Sequence, residues 1–275
     1  MVEVPSEEIF GPEKREKLEF KFIQWELRDG QARLTLARPP HNVLNAEMLT
    51  EMALALESLH EHPEVKVVLL EAAKGSKSFC GGVDLPEYTA QRVFQMLDAF
   101  ARVFNASMEV GKPLLVAVNG PALGGGCELV GFGDIVIATP KAEFRTPEVR
   151  VLGMFPPFAI SIFPYLIGPK RALEMLLTGE PLTAEEALTL RLVNKVVPEA
   201  ELDRTVENLL ARITGYSAPV LAMAKKAMYE GLGMSLRESI RHSHNLFLNE
   251  LCKLEDAQEG LRAILEKRKP QWKNR

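Results

Sequence analysis

Cysteine is scarce in this chain, with three in 275 residues: Cys80, Cys127 and Cys252. So small and odd a set, without CxxC spacing, argues against a disulfide framework or a structural zinc site. No run reaches the roughly 18 apolar residues of a membrane-crossing helix, so none is expected. Positive charge is not in excess either. There are 33 Lys and Arg against 37 Asp and Glu, a net charge of −4. No global basic field therefore exists to hold nucleic acid, although Lys267-Arg268-Lys269 forms a local basic run. The stretch 1–17 mixes Glu, Lys and Pro and lacks the apolar centre of a secretory signal. It reads as a poorly packed arm, and the expected location is the cytoplasm. Internal repeats and low-complexity tracts are absent.

What is present fits a globular enzyme. Hydrophobic residues make up 47% and charged residues 25%, ordinary values for a folded chain. The length suits one large domain, or one with a helical appendage. Alternating residues at 19–27 and 31–37 around Asp29-Gly30 predict a hairpin. Met48, Leu49, Met52, Leu56 and Leu59 recur at helical spacing over 46–60. Runs at 65–70, 114–118 and 135–138 read as buried strands, 88–110 as one long helix, and 124–130 as a short one. Strands alternating with helices predict an α/β fold with a mainly parallel core. Beyond about 168 the pattern is helical, over 170–178, 183–190, 200–214, 217–230, 235–249 and 254–267, with 193–197 as one last short strand. The expected organisation is an arm at 1–17, an α/β core at 18–198 and a helical region at 199–275.

Three stretches carry candidate chemistry. The first, Ser78-Phe79-Cys80-Gly81-Gly82-Val83-Asp84-Leu85, follows a strand and a loop. Its glycines allow close backbone approach, and Asp84 is placed to cap a following helix. The bland alternative is a capped turn. The second, Asn119-Gly120-Pro121-Ala122-Leu123-Gly124-Gly125-Gly126-Cys127-Glu128, joins a buried strand to a helix. Successive glycine amides at a helix start form an anion site. Neither GxxxxGK[ST] nor GxGxxG is matched, since Leu129 stands where the last glycine would be. An oxyanion hole fits better than a nucleotide loop. In the third, Ala142-Glu143-Phe144-Arg145-Thr146-Pro147-Glu148, Glu148 follows a proline and alone reads as a helix-start residue.

Together these stretches resemble the crotonase family. Residues 79–85 match F-[AC]-[AG]-G-x-D-[IL], residues 118–134 resemble the second oxyanion segment, and residues 142–153 resemble the segment bearing the second acid. The likeness covers roughly 20–270 in order. It implies a ββα superhelix core with a helical C-terminal trimerisation region. It also implies that the Val83 and Gly125 amides hold a thioester oxygen, flanked by Gly82, Asp84 and Gly124. Glu128 and Glu148 would share a catalytic water. Having both acids favours hydration, because water addition needs a base for the water and an acid for the α-carbon. The implied partner is an acyl-CoA substrate, with no other cofactor and no metal, and the implied assembly is a homotrimer or homohexamer. Lys267 sits where such chains reach a neighbour's CoA, though a solvated charge run reads the same way.

One stretch departs from common hydratases. Gly153-Met154-Phe155-Pro156-Pro157-Phe158-Ala159 has no glycine pair. Its rings and prolines fill space and stiffen the chain. Phe155 and Phe158 are therefore expected to reshape the acyl pocket for a compact or cyclic group. The stretch is similar to that of hydratases acting on cyclohexadiene-carbonyl-CoA. An enoyl-CoA isomerase and a non-catalytic RNA-binding relative remain as alternatives.

Overall fold

A computed structural model describes residues 19–275, so the arm expected at 1–17 lies outside the described residues. A hairpin opens the fold. Strands β1 (Ile23–Arg28) and β2 (Gln31–Leu36) pair antiparallel, and Asp29 and Gly30 take positive φ between them. Helix α1 (Ala46–Glu57) is capped by Asn45, whose side chain accepts from the Met48 amide. It delivers the chain to β3 (Val67–Ala72), parallel to β2. Helix α2 (Val93–Glu109) packs along α1 and returns the chain to β4 (Leu114–Val118).

The expected helix at 88–110 is thus shorter than its apolar spacing suggests. Leu85–Tyr88 form a separate turn of 3-10 helix containing Pro86, and extended Thr89 breaks it from α2. Asp84 does not cap this turn with its side chain. It accepts instead from Arg38 Nη2 at 3.0 Å, a more rewarding partner for a half-buried carboxylate than one backbone amide.

Next come β5 (Ala122–Leu123), α3 (Gly125–Gly131), β6 (Ile135–Ala138), β7 (Glu143–Arg145), α4 (Glu148–Leu152), α5 (Ala159–Ile167) and α6 (Pro169–Thr178). β8 (Leu182–Thr183), α7 (Ala184–Thr189) and β9 (Lys195–Val196) complete the strand-bearing part. The main sheet runs β1-β2-β3-β4-β6-β9, parallel from β2 onward. A second sheet, β5-β7-β8, stands apart from it.

Strand alternation divides the core in two. Val68, Leu70, Val116, Val118, Val136 and Ala138 face the cluster that contains α1, α2 and α3. Val67, Leu69, Leu115, Ala117 and Ile137 face the opposite way, onto Leu202, Val206, Leu210 and Ile213 of α8 (Glu199–Thr214). Helices α9 (Ala218–Leu232), α10 (Leu236–Asn249) and α11 (Glu255–Leu265) follow.

A buried ionic knot ties α9 to the sheet. Lys225 Nζ donates to Asp134 at 2.7 Å and to the Ser107 and Lys112 carbonyls, while Tyr229 donates to the other Asp134 oxygen. Asp134 also accepts from the Leu114 amide at the start of β4. With the ion pair this buried, Lys225→Met strands a carboxylate. It is expected to destabilise the chain by about 3–5 kcal/mol, measured by urea denaturation.

Candidate active site

The site forms where two loops cross. The first loop runs from β3 to the 3-10 turn and is pinned on both sides. The Gly81 amide donates to the His41 carbonyl at 2.7 Å, the Leu44 amide to Gly82 at 2.7 Å, and the Asp84 amide to Leu44 at 2.8 Å. Val83 therefore pairs with Leu44 in a parallel bridge. The bonds around it use the Gly82 carbonyl and the Asp84 amide, so the Val83 amide points the other way. The second loop leaves β4. It is held by Cys80 N–H to the Pro121 carbonyl at 3.2 Å and Leu123 N–H to the Cys80 carbonyl at 2.9 Å.

The crossing requires glycine. Gly82 has φ +94°, and a Cβ there would meet the Leu123 carbonyl oxygen at 2.9 Å. Gly124 has φ +51°, and a Cβ there would press on Glu148 Oε1. A Cβ on Gly126 would fall 2.5 Å from the Cys80 oxygen. Beside them, a Cβ on Gly125 would meet Val83 Cγ2 at 2.8 Å, which shows how closely the two expected oxyanion positions approach. Gly125 is the first residue of α3, so its amide has no intrahelical partner. Among the described residues, no protein group accepts from the Val83 or the Gly125 amide.

The structure brings Glu128 and Glu148 to this crossing from different elements. Glu128 lies in the first turn of α3 and is buried. Its Oε1 accepts from the Phe158 amide at 2.9 Å and the Ala159 amide at 2.8 Å, at the start of α5. Glu148 opens α4 directly after Pro147. Its Oε1 lies against Gly124, and its Oε2 is buried with no protein partner. Burial pushes the Glu128 carboxyl up to about 7, against the two amides, and the Glu148 charge adds to the rise. Burial also raises Glu148, its own backbone amide opposing. Burial thus favours the protonated form of both carboxyls.

The remaining candidates spread outward. Asp84 is held by Arg38, as described. Phe158 packs at a tilt against Phe100, ring centroids 4.6 Å apart, and stands edge-on to Phe132 at 5.9 Å. A Cβ on Gly125 would also touch the Phe100 ring at 3.2 Å, so this aromatic cluster reaches the oxyanion crossing. Phe155 is 61% exposed on the loop between α4 and α5. Lys267 is exposed just beyond α11, with φ +53°. Cys127 is no nucleophile: it is fully buried, and burial with the nearby glutamate charges raises its thiol well above the ordinary value.

Sequence reasoning missed Tyr88. This residue closes the 3-10 turn after Asp84 and is half-buried, and its burial, with the charges on Glu148 and Glu128 behind it, opposes ionisation of its hydroxyl. Its signal, a tyrosine five residues beyond Val83, was absorbed into a helix predicted to begin there.

Comparison with known proteins gives the family. A family model described as Enoyl-CoA hydratase/isomerase matches residues 26–275. A probable mitochondrial enoyl-CoA hydratase of Dictyostelium discoideum is 35% identical over 248 residues, covering 88% of this chain and 87% of that one. The cyclohexa-1,5-dienecarbonyl-CoA hydratase of Thauera aromatica is 34% identical over 254 residues, covering 91% and 96%. The crystal structure of an enoyl-CoA hydratase subunit from Geobacillus kaustophilus superposes with a TM-score of 0.86 at 34% identity, covering 94% and 100%. With its family model matched over nearly the whole described chain, and its crossed glycine loops set beside paired carboxylates, this protein belongs to the enoyl-CoA hydratase/isomerase family, the crotonases.

Proposed function

We propose that the chain is an acyl-CoA hydratase, adding water to the α,β-double bond of an enoyl- or alicyclic dienoyl-CoA thioester, or removing it. One observation carries this reading. Two buried glutamates stand beside two backbone amides that no acceptor among the described residues uses. The Val83 and Gly125 amides would take the thioester oxygen as it gains enolate charge, with Gly82 and Gly124 allowing the approach. One carboxylate removes a proton from the water whose oxygen bonds to the β-carbon. The other, protonated, delivers its proton to the α-carbon. An isomerase needs only to move one proton, so the second acid favours hydration.

For the acyl group we favour a compact, cyclic one. Phe158, packed against Phe100, would wall the pocket beside the Gly125 amide, and exposed Phe155 would stand at its mouth. The test compares kcat/KM for crotonyl-CoA with that for a cyclohexadiene-carbonyl-CoA. Preference for the cyclic thioester is expected, and strong preference for crotonyl-CoA overturns the refinement. Phe158→Ala should shift the preference toward longer linear chains by roughly 10-fold, about the worth of one or two methylenes in an apolar pocket. The same comparison of kcat/KM values checks it.

The partner is the acyl-CoA itself, and the assembly we favour is a homotrimer or a dimer of trimers. Leu232, Leu236, Ile240, Phe247, Leu261 and Ile264 are exposed on α9, α10 and α11, apolar side chains that a neighbouring subunit would cover. Lys267, at the end of that region, is assigned to the CoA of a neighbouring subunit. Lys267→Ala should raise KM several-fold with kcat unchanged, the pattern of lost uniform binding, in a steady-state titration of acyl-CoA. The net charge of −4 favours catalysis over RNA binding. Among the described residues no helix is long and apolar enough to cross a membrane.

A further inference from the structure

We propose that the Tyr88 hydroxyl is a third polar group of the acyl site, donating a hydrogen bond to the oxygen that is added to the β-carbon. The inference rests on the hydratase reading. Tyr88 hangs on the same pinned loop that presents the Val83 amide, at the far end of the single turn Leu85–Tyr88. Its ring packs against the core cluster, so the side chain is held in place. Its hydroxyl finds no partner within the protein among the described residues, unlike that of Tyr229, which donates to Asp134 at 2.7 Å. A packed tyrosine whose hydroxyl the fold leaves unused is placed for a ligand.

The surroundings say what kind of ligand. Burial above all, and then the charges on Glu148 and Glu128, oppose ionisation of the phenol. A neutral phenol beside carboxylates acts as a donor. Glu148 Oε2 is likewise buried without a protein partner among the described residues. The Val83 and Gly125 amides are committed to the thioester oxygen at the other end of the reacting unit. The oxygen left for Tyr88 is the one entering from water, or leaving as the β-hydroxyl. There the phenol would fix its position relative to the glutamates without itself exchanging a proton.

The test is Tyr88→Phe, which keeps the ring and its packing, and a melting temperature like that of the wild type checks the fold. Two rates are read: hydration of an enoyl-CoA, and exchange of the α-proton of a saturated acyl-CoA in heavy water. Exchange uses the oxyanion amides and an acid but has no β-oxygen. Hydration kcat is expected to fall roughly 10- to 100-fold, the size of one hydrogen bond to a developing charge, while exchange stays at the wild-type rate. A variant that hydrates like the wild type, or that loses both rates together, overturns the role of Tyr88 and leaves the hydratase reading standing. A wild type that exchanges but hydrates no enoyl-CoA overturns the hydratase reading, and the Tyr88 role with it.

Discussion

Glu128→Gln is expected to lower hydration kcat by about 10²- to 10⁴-fold, the usual worth of a positioned acid or base, and at the same time to stabilise the fold at alkaline pH. Both effects follow from one placement. Glu128 is buried in the first turn of α3, and its Oε1 is anchored by the Phe158 and Ala159 amides. Glutamine keeps an oxygen for those amides but cannot take a proton from water. The stability effect has a definite sign. The folded Glu128 titrates at about 7 against an ordinary 4.5. Between those values the native chain holds a proton that the unfolded chain has released, so stability falls as pH rises through the window and levels off above it. The gap corresponds to on the order of 3 kcal/mol. Urea denaturation should show Glu128→Gln more stable than the wild type at pH 8 by about that amount, and little different at pH 4. Equal stability at both pH values would show that the carboxylate is already well accommodated.

Gly124→Ala should abolish measurable hydration. Gly124 has φ +51°, a backbone conformation that residues with a side chain rarely adopt, and its added methyl would press on Glu148 Oε1. The backbone must shift, and with it the Gly125 amide, the next N–H along the chain. Losing one oxyanion donor alone is worth about 10²- to 10³-fold in kcat, and displacing Glu148 removes acid–base catalysis as well. Gly75→Ala is the control. It too has positive φ, +86°, but its methyl would meet nothing within 4 Å. Stopped assays of enoyl-CoA loss should show the Gly75 variant active and the Gly124 variant at background. If Gly124→Ala keeps a tenth or more of the rate, the crossed-loop geometry is not what positions the thioester.

The parts of this site readable from the chain were those with a strong local signature. Strand β4, Leu114–Val118, is a five-residue apolar run between turn signals and appears at the expected bounds. The triple glycine at 124–126 marked its own helix start. The misses have physical causes. Strands β5 and β8 are two residues long, too short for any alternation. Helix α5 is apolar on most faces and contains Pro164, so its sequence shows neither a stripe nor an uninterrupted helix. Yet α5 supplies the amides that hold Glu128, a partnership across thirty residues that only folding reveals. Asp84 had the sequence position of a cap, but Arg38, forty-six residues away, competed for it and won. Tyr88 was hidden for a similar reason, because Thr89 ends a turn that apolar spacing would have continued into α2.

The most direct measurement is product analysis in oxygen-18 water. Wild-type protein and the Glu128→Gln and Glu148→Gln variants would each be given an enoyl-CoA, linear or cyclic. Two acids sharing one water predict a hydroxyacyl-CoA with a single oxygen-18 at the β-carbon from the wild type. Both variants should give almost none. A wild-type product with a shifted double bond and no added oxygen would contradict the account, as would full labelling by Glu128→Gln.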